Sequence, residues 1–164
     1  MTEAINPWLH LLAATVWVGP QVFLFVAAVP AIRTVEDAQV RARIMRVLTT
    51  RFGWLAWGAM LVLVITGIGN LFEIAPVDPE DIFDINYGAI FIAKMVLVIA
   101  TVVLTALHSF VIGPRLLNLQ ENAADQAQVA SARRVSIIVS AGNLLLALGI
   151  LFCAALLGTT FALE

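Results

Sequence analysis

Residues 52–72 read FGWLAWGAMLVLVITGIGNLF, twenty-one positions without an aspartate, glutamate, lysine or arginine. At about 1.5 Å of rise per residue, such a run makes a helix of roughly 30 Å, the thickness of a bilayer's hydrocarbon core. Outward from it, residues 4–32, 95–114 and 135–163 are equally free of charge. Of the 164 residues 62% are hydrophobic and 12% charged, and the mean hydropathy is +0.99. A soluble domain carries about 25% charged residues, twice this share. The expected fold is therefore all-α: a membrane four-helix bundle in a single domain, with spans at 5–32, 52–74, 87–117 and 134–160. The lipid bilayer is its main partner. These residues leave no length for a soluble catalytic domain, and nothing in them favours nucleic acid.

The first apolar run has no basic residue before it and exceeds the core of a signal peptide, so it reads as a span. Cys153 is the only cysteine, which excludes an intrachain disulfide or a thiolate cluster. No internal repeat is evident.

Charge sets the expected orientation. Arg33, Arg41, Arg43, Arg46 and Arg51 precede or enter the second span, and Arg115, Arg133 and Arg134 lie between the third and fourth. The middle loop carries Glu73, Asp78, Glu80, Asp81 and Asp84 and no basic residue. By the positive-inside rule the arginine-rich loops face the cytoplasm and both termini face out, in what reads as a bacterial cytoplasmic membrane. Pro20 predicts a kink in the first helix. Residues 35–48 read either as an interfacial helix or as an inward extension of the second span. Trp54 and Trp57 read as interface anchors, and Pro76 and Pro79 argue against regular structure in the acidic loop.

An ionisable side chain inside a membrane is costly and points to function. Three stand out: His10, Lys94 and His108. His10 and Lys94 lie in the outer half, where they would share a polar layer with Thr66 and Asn70. His108 is 14 residues beyond Lys94, roughly 20 Å deeper along the axis. One metal in one subunit therefore cannot take both histidines. His108 and Arg115, seven apart, share an α-helical face, a pairing that suits haem iron and a propionate. Neutral imidazole at His10 or His108 is equally a copper ligand. Against these stand plainer roles: helix packing for the histidines, snorkelling toward the acidic loop for Lys94, and an interhelical hydrogen bond for Asn143.

Trp8-Leu9-His10, then Trp17-Val18-Gly19 and Pro30, resembles the first helix of CopD-like and HemJ-like membrane proteins. Arg51-Phe52-Gly53-Trp54 leading to Thr66-Gly67 is similar to their second helix. Tyr87-Gly88 followed by Lys94, on the helix that carries His108, is similar to their third. The resemblance spans the first 115 residues. It implies a four-helix membrane bundle with either haem b, as in HemJ-like protoporphyrinogen oxidases, or copper, as in CopD-like proteins. His10 and Lys94 match best. His108 departs from the HemJ-like spacing, and the paired methionines or clustered cysteines of a copper carrier are absent.

Three functions follow. The first is a haem b-binding protein with a redox or porphyrin-handling role, an oxidoreductase if it turns over, with His10, His108, Lys94 and Arg115 as cofactor-binding residues. A quinone or another redox partner would then exchange its electrons, and a homodimer would let one haem take the same histidine from each subunit. The alternative is copper transport or copper binding, and the third is a cofactor-free assembly partner.

Overall fold

The computed structural model describes residues 4–74, 86–122 and 125–161. The acidic loop and its two prolines lie outside these residues. Among those described there is no strand, and four helices are long and apolar enough to cross a membrane. Helix α1 covers Ile5–Arg33, and α2 covers Ala38–Ile74. Helix α3 begins as Asn86–Leu107, passes through a π-helical turn at His108–Ile112 and ends as Gly113–Glu121. Helix α4 covers Gln126–Phe161.

Two helix boundaries are set by aspartates. Asp37 accepts the backbone N–H groups of Gln39 and Val40 through its carboxylate, which starts α2 at Ala38. The arginine-rich segment after it is thus an extension of the second span and not a separate interfacial helix. Asp125 accepts the N–H of Ala127, and α4 begins at Gln126, eight residues before the expected 134.

Helices α1 and α2 form one closely packed hairpin, and α3 and α4 form another. Trp17 and Val18 of α1, Ala56, Ala59 and Met60 of α2, and Ala147 of α4 make the buried core. Alanine dominates because, with lipid as apolar as leucine, helices associate by close backbone approach and not by excluding water. Long side chains such as Val26, Leu61, Ile99, Leu145 and Phe152 point away from the bundle, as lipid-facing residues do.

The two helices that run toward the arginine-bearing end share one device. Helix α1 stays α-helical through Pro20 as far as Phe23, and widens into a π-turn only at Leu24–Ala28, just before Pro30. In α3 the π-turn His108–Ile112 stands just before Pro114. In each, the residue preceding the proline makes the i→i−5 bond: Val29 to Leu24, and Gly113 to His108. A proline ring collides with the carbonyl four residues back, and a π-turn moves that carbonyl aside. Both the turns and the prolines are 84 residues apart, so the two hairpins are alike in architecture although no repeat shows in the sequence.

At the arginine-bearing end Arg46 of α2 grips Glu121 of α3 side-on, through Nε at 2.7 Å and Nη2 at 2.6 Å. Nearer the core, the rings of Trp57 and Phe110 stack at 5.7 Å. Trp57 is thus a packing residue between α2 and α3, its indole N–H buried without an acceptor among the described residues, whereas Trp54 is exposed.

Candidate functional site

Two polar levels cross the bundle. The level nearer the N-terminus is built on α1 and α2. Asn6 donates its amide to Asn70 Oδ1 at 2.7 Å and to the Thr66 carbonyl at 3.2 Å. One α-helical turn further along α1, His10 Nδ1 lies 2.8 Å from Thr66 Oγ1. The imidazole lies against Gly67, where a Cβ would stand 3.5 Å from His10 Cε1, an ordinary contact.

The protonation of this pair follows from counting hydrogens. A threonine hydroxyl has one proton to donate. Thr66, almost fully buried, gives it to the Val62 carbonyl at 2.6 Å. Thr66 Oγ1 is therefore the acceptor toward His10, and His10 Nδ1 is the donor. The neutral imidazole then carries its lone pair on Nε2, the arrangement of a metal-ligating histidine whose other nitrogen is held by a hydrogen bond.

The second level lies midway along the bundle. Asn143 of α4 donates to Gln21 Oε1 of α1 at 3.2 Å and accepts from the Thr105 hydroxyl of α3 at 3.2 Å. Gln21 also donates to the Trp17 carbonyl. This chain joins the two hairpins by side-chain hydrogen bonds inside the apolar zone. The sequence reading identified Asn143 but passed over Gln21 and Thr105. The available signal was that Gln21 is the only glutamine in the apolar run 4–32.

The remaining expected site residues divide. Lys94 is half-buried on α3 and close enough to interact electrostatically with His10 and with Cys153 of α4. Thr66 joins the layer through its contact with His10, and Asn70 joins it through Asn6. His108 lies apart from this layer, with Nδ1 3.4 Å from Ser140 Oγ, too long for a strong bond. Between His108 and Arg115 stands the π-turn, which takes more residues per turn than an α-helix, so their spacing of seven no longer gives them a shared face. Arg115 is exposed. The expectation of haem b gains no observation from this arrangement: the imidazoles belong to different levels, and the face meant to join His108 to Arg115 is interrupted.

Among the described residues no group of three or more histidine, cysteine or acidic side chains could hold a metal ion. His10 is thus not part of a closed coordination cage among the described residues. It offers one oriented nitrogen in a polar layer, with Lys94 interacting electrostatically with it and with Cys153.

Compared with known families, residues 45–157 match copper resistance protein D, CopD. The chain belongs to the CopD family. The match takes in about two thirds of the protein, including Thr66, Lys94, His108 and Cys153, and extends through most of α4. It leaves out α1, so the place of His10 rests on its geometry with Thr66. No curated protein and no solved structure matches the chain. This CopD-family chain is an integral membrane protein by its four apolar helices, and copper, not haem, is the metal its family brings.

Proposed function

We propose that this protein handles copper within the membrane as cargo, and that His10 Nε2 is the ligand that first receives it. The observation that carries the reading is the 2.8 Å contact of His10 Nδ1 with the Thr66 hydroxyl, which lies 2.6 Å from the Val62 carbonyl, an arrangement that favours the tautomer with its lone pair on Nε2. Membership of the CopD family supplies the metal. A single oriented imidazole suits a copper ion that is passed on. It does not suit a resident centre, which keeps three or four protein ligands. With the arginine-bearing end in the cytoplasm by the positive-inside rule, the His10 layer lies in the outer half of a bacterial cytoplasmic membrane, and copper meets it from outside.

The test is equilibrium binding of Cu(I) to the detergent-purified chain under reducing conditions. We expect His10→Ala to abolish the tightest binding and His108→Ala to leave it unchanged. Equal binding by wild type and His10→Ala would contradict the assignment.

A further inference from the structure

The two polar levels are related by helical geometry. His10 lies eleven residues before Gln21 on α1, and Lys94 lies eleven before Thr105 on α3. Both intervals are α-helical. Eleven residues make three turns, which returns a side chain to the same face about 16 Å along the axis. Gln21 and Thr105 converge on Asn143, so His10 and Lys94 converge on the same side of the bundle three turns away. On α4, Cys153 is ten residues from Asn143, at that level too. The electrostatic interaction of Lys94 with both His10 and Cys153 agrees with this convergence.

A lone ammonium group here is chemically conspicuous. Lys94 has no hydrogen bond or ion pair among the described residues, and no acidic residue occurs within the apolar runs to neutralise it. A fixed positive charge repels a second cation in proportion to that cation's charge, and a half-buried position screens the repulsion less than water does. A divalent ion beside His10 is therefore penalised twice as heavily as a monovalent one, while donor softness acts on both.

We propose that Lys94 is a specificity-determining residue that restricts the His10 layer to monovalent soft cations and turns divalent ones away. The inference rests on the copper reading of His10 and narrows its cargo to Cu(I). It also gives Lys94 a role distinct from ligation: the residue selects by charge and need not touch the metal.

The experiment compares Ag(I) with Cd(II), two soft ions with the same filled d shell that differ mainly in charge. Each is titrated into the full-length protein in detergent against a competing chelator, for wild type, Lys94→Met, Lys94→Arg and His10→Ala. We expect wild type to prefer Ag(I). Lys94→Met should raise Cd(II) affinity more than Ag(I) affinity, narrowing the preference by roughly tenfold or more. Lys94→Arg, which keeps the charge, should keep the preference. Methionine is apolar and suits a span, and the arginine variant separates charge from side-chain shape. A preference unchanged in Lys94→Met, with Ag(I) binding still lost in His10→Ala, would overturn the selection by Lys94 and leave the His10 site standing. Wild type binding neither ion would overturn both.

Discussion

Gly113 sends its backbone N–H to the carbonyl of His108, and a Cβ at Gly113 would stand 2.9 Å from that same oxygen. The π-turn that carries His108 thus closes tightly on its glycine, whereas the matching turn in α1 closes on Val29. Backbone cannot yield as a flexible side-chain tip can. Gly113→Ala should therefore force the turn to rearrange and re-aim His108 away from Ser140. The expected cost is about 1–3 kcal/mol, the usual range for an overpacked site. Thermal unfolding in detergent checks the stability, and the NMR shifts of the His108 ring check the re-aiming. An alanine variant with unchanged stability and ring shifts would show that the turn does not depend on glycine.

Gly69 plays a related part at the other polar level. A Cβ there would come within 2.7 Å of Asn6 Nδ2, the atom bonded to Asn70 and to the Thr66 carbonyl. Gly69→Ala should displace Asn6 and lose both bonds, at about 1 kcal/mol by the measured worth of polar contacts between membrane helices. Asn6→Ala should lose the same bonds. The double variant should then cost less than the two single changes added together, because both act on one contact. Simple additivity in a double-mutant cycle would count against the shared mechanism.

Thr66→Val removes the oxygen that accepts from His10 while nearly keeping the shape. The ring would lose the partner that fixes its tautomer, and metal affinity should fall about 10–100-fold, as it does when the hydrogen-bond partner of a ligating histidine is removed. Thr66→Ser should restore most of it. Silver(I) titration of the three proteins gives the comparison, and equal affinities would mean that Thr66 does not orient the ring.

Asn143 holds the two hairpins together through Gln21 and Thr105. Asn143→Leu should strand a partly buried amide and a hydroxyl and cost about 1–2 kcal/mol. Gln21→Leu should cost less, since it removes only one arm of the clamp. The reverse order in a detergent unfolding series would place the main link elsewhere.

The Arg46–Glu121 pair looks stronger than it should prove. Its geometry is bidentate, yet the two side chains remain 45% and 43% exposed. Water and salt screen such a pair, so Glu121→Gln should lower stability by less than about 1 kcal/mol, and the difference should shrink as salt is raised. A larger, salt-independent loss would point to a role beyond this surface contact.

The bundle was legible in the sequence because long charge-free runs leave few other solutions. The extension of α2 was legible only as one of two options. What settles it is Asp37 capping Ala38 and the unbroken helix to Ile74. The layer of His10 and Thr66 could be read because depth along a regular helix follows from residue number alone. The π-turns could not, since hydrophobic periodicity does not separate one π-turn from the α-helix around it. The dipeptide Gly113-Pro114 was the available clue, being a pair that breaks helices. The expected shared face of His108 and Arg115 failed for that reason. Arg46 and Glu121, 75 residues apart, carry no local signal of their pairing, and the same holds for Gln21 with Asn143.

The most direct test of the account is copper uptake by proteoliposomes containing the purified chain, supplied with Cu(I) under reducing conditions. Wild type should accumulate copper well above empty vesicles, and His10→Ala should fall to the level of empty vesicles while His108→Ala stays near wild type. Uptake by His10→Ala equal to wild type would contradict the claim that His10 receives the metal.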